Sequence, residues 1–76
     1  MHTTLARLPS GIPATVVSLS CDKALERRLR DFGLIPGTTL RVCYRSLHGG
    51  VMALECRGAV IALRTDDLIG IRVRFE

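Results

Sequence analysis

Only one stretch of this chain has the apolar spacing of a helix. Leu25, Leu29 and Phe32 fall at i, i+4 and i+7, and Gly33 follows at once. Ser20 and Asp22 are both suitable N-caps before the stripe, and Gly33 stands where a left-handed C-cap is wanted. Lys23, Glu26, Arg27 and Arg30 occupy the other faces. A helix of about three turns does not persist alone in water, so its stripe must dock on something. The other regular segments are short strand-like runs, most alternating with a period of two and Val60 to Leu63 apolar throughout, so that partner is a sheet.

The strands are short. Ala14 to Leu19 is rich in β-branched residues, and Leu19 shares a face with Ala14 and Val16 only if a bulge breaks the alternation. Leu34-Ile35-Pro36-Gly37 places Pro and Gly as a type II turn requires. Beyond it Leu40, Val42 and Tyr44 alternate with Thr39, Arg41, Cys43 and Arg45. Leu47-His48-Gly49-Gly50 reads as a loop. Val51 to Arg57 follows, with Met52, Leu54 and Cys56 on one face, and Arg57-Gly58 is a tight hairpin connection. Val60 to Arg64 is the next strand. Thr65-Asp66-Asp67 reads as a cap and acidic first turn, and Ile71, Val73 and Phe75 alternate with arginines in the last strand. The segment before Pro9 reads as a loop. Five short strands with one helix between the first and second predict a mostly β, small SH3-like barrel, with an open α+β sheet as the alternative.

The 76 residues make one domain, 1–76. Of these, 47% are hydrophobic and only Phe32, Tyr44 and Phe75 are aromatic, so the core must be aliphatic; Phe32 and Tyr44 are assigned to it. No apolar run reaches the ~18 residues of a membrane span, and Met1 to Pro9 lacks the apolar centre of a secretory signal. Cys21, Cys43 and Cys56 are odd in number and widely spaced, which predicts reduced thiols and a cytoplasmic protein.

Chemistry-bearing patterns are sparse. There is no nucleophile–base–acid set and no phosphate loop, and the adjacent Asp66 and Asp67 cannot face one another across a substrate. An enzyme is not expected. The histidines are His2 and His48, with no Cys-x-x-Cys or His-x-x-x-His spacing. His48 and Cys43 are the weak candidates for Fe(II) or another divalent metal, and no cofactor is assigned. The net charge of +4 is ordinary for a small domain. Single-strand binders stack bases on aromatic platforms, which this chain lacks, so nucleic acid is not expected. Proline-peptide grooves need Trp and Tyr, and here there is no Trp and one Tyr. What remains is protein contact. Leu34, Ile35, Leu47 and Val51 sit in or beside turns, where polar residues are usual; with His48, Gly49 and Gly50 they form the candidate partner surface, or else plug the ends of the barrel.

The stretch Arg28-Leu29-x-x-Phe32-Gly33-Leu34-x-Pro36-Gly37 resembles the signature of the FeoA family. Gly49-Gly50, the alternating Met52, Leu54 and Cys56, Gly58-x-x-Ile61-Ala62-Leu63-Arg64 and Leu68-x-x-Ile71-x-Val73 continue the likeness in register, from about Leu8 to Val73. Prolines that many members carry around the loop are replaced here, at or near Leu47 and at Val51, which predicts a looser loop. The resemblance implies an SH3-like fold and a cytosolic accessory of ferrous-iron uptake. Its expected partner is the membrane GTPase transporter FeoB, so the membrane is met only through that partner; weak self-association is a further expectation. The same fold closes iron-dependent repressors, which gives the alternative: a metal-responsive regulatory module. Arg28, Leu29, Gly33, Pro36, Gly37 and Arg64 are implied to be structural, with Arg28 held by a carboxylate.

Overall fold

A computed structural model describes residues 1–76. Six antiparallel strands and one helix, set between the second and third strands, make up the chain: β1 (His2–Thr4), β2 (Ala14–Leu19), α1 (Lys23–Asp31), β3 (Thr39–Arg45), β4 (Val51–Cys56), β5 (Ala59–Arg64) and β6 (Ile71–Phe75). They form one sheet in the order β1-β6-β2-β3-β4-β5. Two 3₁₀ turns, Leu5–Arg7 and Thr65–Leu68, complete the chain. The mostly β, SH3-like expectation holds, with a sixth strand. That strand, β1, is three polar residues long and carries no alternation to read; it exists because Thr3 pairs with Val73 and the ends of Met1 and Phe75 bond to each other.

The core is aliphatic. Leu5, Leu8, Val16, Leu29, Leu34, Val42, Met52, Leu54, Leu68, Ile71 and Val73 are fully enclosed side chains within it, and Cys56 is buried among them. The required bulge lies between Val16 and Ser18, and Leu19 packs against the core as a result. A second bulge, between Val42 and Tyr44, has a larger effect. Cys43 becomes the extra residue, and Tyr44 turns outward with 58% of its surface exposed. Phe32 is also exposed, at 42%, because it is the C-cap of α1 and not part of its buried face. Both aromatics assigned to the core are therefore on the surface. Of the helical stripe, Leu29 is buried and Leu25 half-buried.

The bulge also sends Arg45 toward the strand's other side. Its guanidinium donates to the carbonyls of Ala6 (3.1 Å) and Leu8 (2.5 Å) and to Ser10 Oγ (3.3 Å), which ties the segment after β1 to the end of β3. Hydrogen bonds from a charged donor contribute about 1.5–3 kcal/mol.

The corner between α1 and β3 is a compact knot. Asp22 accepts from Leu25 N–H at 2.8 Å to start the helix. Gly33 has φ +90°, its N–H donates to Arg30 O at 2.9 Å, and Leu34 N–H reaches Leu29 O at 2.9 Å. That pattern is a Schellman motif, which brings the residue after the glycine onto the helix's last turn. Pro36-Gly37 then forms the expected type II turn, with Gly37 at φ +93° and Thr38 N–H on Ile35 O at 3.0 Å. Gly37 N–H to Val16 O and Val16 N–H to Thr38 O stitch this turn to β2, and Thr38 Oγ1 donates to Gly33 O. Leu29, Gly33, Pro36 and Gly37 thus fix how the helix end meets the sheet.

Candidate partner-binding surface

The β3–β4 connection projects the most exposed large apolar side chain of the molecule, Leu47, at 94%. Its backbone is held at both ends. Ser46 N–H donates to Val51 O at 2.9 Å, Val51 N–H to Ser46 Oγ at 3.1 Å, and Gly49 N–H to Ser46 O at 2.9 Å. From the other side Thr65 Oγ1 donates to Gly49 O at 2.6 Å and Thr65 N–H to Gly50 O at 3.0 Å. Gly49 supplies the left-handed φ of +73° that this reversal needs. The loop expected to be loose is therefore pinned without its prolines. Thr65 is a donor across the structure, not the cap of the turn that follows; the residue at that cap position, Arg64, makes no side-chain capping bond.

Val51 opens β4 beside this loop and is exposed, and so is His48. On the same outward face Tyr44 lies opposite Ala53, Ala53 opposite Ala62, and Val51 opposite Arg64. The surface at this corner thus combines Leu47, Val51 and Tyr44 with one cation, Arg64. Tyr44 went unrecognised in the sequence because its spacing from Leu40 and Val42 is in phase with burial, and nothing in Val42-Cys43-Tyr44 signals a bulge. Farther along, Arg41 and Glu55 pair at 3.1 Å, both half-exposed.

Two expected members of the surface do not belong to it. Leu34 is fully buried, because the Schellman geometry folds it against Leu29. Ile35 is exposed, but it sits on the turn before β3 while Leu47 follows that strand. Seven extended residues separate them by about 20 Å, so they do not form one patch. Arg28 is exposed and has no carboxylate partner; the ion pairs are Arg30–Glu26 and Arg41–Glu55.

Metal ligands do not converge: no three His, Cys, Asp or Glu side chains are grouped. Cys43 is exposed on the bulge and His48 on the loop. Burial, and then the negative charges of Glu26 and Asp22, push the Cys21 thiol above its ordinary range, so it stays protonated near neutral pH and is a poor thiolate ligand. No helix is long and apolar enough to cross a membrane.

Residues 3–74 match the family described as FeoA domain. Among solved structures, the FeoA protein of Chlorobium tepidum is similar with 32% identity and a TM-score of 0.89, over 96% of this chain and 70% of that one. Iron(II) transport protein A of Clostridium thermocellum aligns with 25% identity and a TM-score of 0.91, over 96% of this chain and 45% of that one. A FeoA-like protein of Clostridium acetobutylicum, at 22% identity, shares the fold with a TM-score of 0.87 over 97% and 86% of the two chains. Among curated protein sequences none matches the chain.

Proposed function

The chain belongs to the FeoA domain family, and from that premise we propose that it is a cytosolic accessory of ferrous-iron uptake that works by contact with a FeoB-type membrane GTPase. The observation that carries the reading is Leu47. Burying a leucine side chain is worth about 1.5–3 kcal/mol relative to leaving it in water. Here the side chain is fully hydrated on a loop whose backbone is fixed by five hydrogen bonds from Ser46, Gly49, Val51 and Thr65. Such an arrangement pays little ordering entropy when a partner covers it. Val51 and Tyr44 extend the apolar contact, and Arg64 offers a cation to an acidic group at its rim.

The test is Leu47→Asp, alone and with Val51→Asp. Leu47 is so exposed that the single change is expected to alter folding stability by less than about 0.5 kcal/mol. A central apolar contact in an interface is worth more than that, so affinity for the transporter's cytosolic part should fall at least about tenfold. Fe(II) uptake by cells should fall with it. Co-purification and uptake equal to the unaltered protein would remove this surface from the reading.

A further inference from the structure

The strand order leaves β5 at one edge of the sheet. Its pairing with β4 is an unbroken ladder from Cys56↔Ala59 to Val51↔Arg64. The two-residue turn Arg57-Gly58 makes Cys56 and Ala59 the closing hydrogen-bonded pair, and such pairs recur at every second residue. Thr65 N–H on Gly50 O continues that phase. The N–H and C=O groups of Val60, Ala62 and Arg64 therefore point away from β4, where the sheet has no further strand; the Arg64 carbonyl also stands at the N-cap of the Thr65–Leu68 turn.

Natural edges are blunted by brevity, proline, lysine, bulges or inward charges. The opposite edge, β1, is three residues of His and Thr. By contrast β5 is six residues long, Ala-Val-Ile-Ala-Leu-Arg, with no proline and no bulge, and its one charge stands at its last residue. Val60 is 63% exposed, and Ala59 and Ala62 are exposed as well.

We infer that β5 is a self-pairing edge, through which two copies of this chain join antiparallel into one continuous sheet. The register is set by self-complementarity. Centred on Ala62, the pairing faces Ala62 with the partner's Ala62, and Val60 with the partner's Arg64, so that every outward N–H and C=O finds a mate. The same register keeps faces matched, since Ile61 meets the partner's Leu63. Centring on Ile61 instead leaves the groups of Arg64 facing the Gly58 turn. Charge agrees: the strand's one ion lies at its end, so antiparallel pairing separates the two arginines and sets each beside an apolar residue. The partner's Arg64 also comes beside Val60, whose neighbour on β4 is the half-exposed Glu55.

One strand pair buries far less than the roughly 1,200 Å² of a stable interface, so the association should be weak and transient. Sedimentation equilibrium from about 10 μM to about 1 mM, with amide exchange followed by NMR, tests this. The expected result is concentration-dependent dimerisation with protection appearing at Val60, Ala62 and Arg64. Val60→Lys, at an exposed site, and Ala62→Pro, which removes an N–H unused in the monomer, should each weaken association at least about tenfold with melting unchanged. Should Ala62→Pro fail to fold, Val60→Lys decides. A monomer at every concentration, association untouched by Val60→Lys, or association lost instead in Leu47→Asp would each overturn the assignment.

Discussion

Gly70→Ala is expected to cost about 3 kcal/mol or more and to lower the melting temperature by about 15 °C. A Cβ at this position would lie 2.0 Å from the carbonyl oxygen of Ser20 and 3.0 Å from its carbon. Neither atom can swing aside, because both are backbone. The two residues are bonded as well as close: Ser20 N–H donates to Gly70 O at 2.8 Å, next to the Leu19↔Ile71 pair that joins β2 to β6. Relief must come from parting the two chains where β2 runs into the helix, which breaks that bond and loosens Ile71, a fully buried core residue. For a domain of this size the whole stability is about 4–11 kcal/mol, so the loss is a large share. Thermal and urea unfolding of Gly70→Ala read it directly. Gly50→Ala is the control: nothing lies within 4 Å of its Cβ and its φ is ordinary, so little change is expected. A Gly70→Ala protein that melts like the control would show that the two backbones part without cost.

The second large effect is at Leu34. Leu34→Ala should lose about 3 kcal/mol, within the usual 2–5 for a fully enclosed leucine, and Leu34→Asp should not fold. Leu34 lies in the core and covers the last turn of α1, so truncation leaves a cavity at the helix end. The contrast with Leu47 makes the experiment diagnostic. Two leucines that both flank turns should differ by roughly 3 kcal/mol in stability, measured by urea unfolding, and in the opposite sense for partner binding. Equal stability of Leu34→Ala and the unaltered protein would mean that the knot at Gly33 is not part of the core.

These two residues also show what the sequence made legible. Helix start, helix end, the Pro36-Gly37 turn and the Arg57-Gly58 hairpin were all readable, since each depends on local backbone chemistry that names its own residues. The bulge in β2 was readable because Leu19 could reach the core in no other way. Tyr44, Leu34 and Gly70 were not. Tyr44 is displaced by an unpaired Cys43 that leaves no mark on the alternation. Leu34 looks like a loop residue until the 6→1 bond of the Schellman motif is placed, and Gly70 resembles any turn glycine until Ser20 is brought across. The candidate surface was legible as exposed leucine in a loop, while its outline, without Leu34 and Ile35 and with Tyr44, depended on those same long-range placements.

The position of β6 between β1 and β2 has a consequence for how the chain acquires its shape. The meander β3–β4–β5 joins neighbours in sequence, so its loops close at small entropic cost. The β2–β6 ladder instead pairs Leu19 with Ile71 and Ala14 with Phe75, contacts that wait for nearly the whole polypeptide. During synthesis β1 has no mate, and β2 only its short pairing with β3, until β6 leaves the ribosome. Substitutions in the meander should therefore slow folding, and those in β6 should mainly speed unfolding. Kinetics with the reverse pattern would mean that the ends of the molecule find each other first.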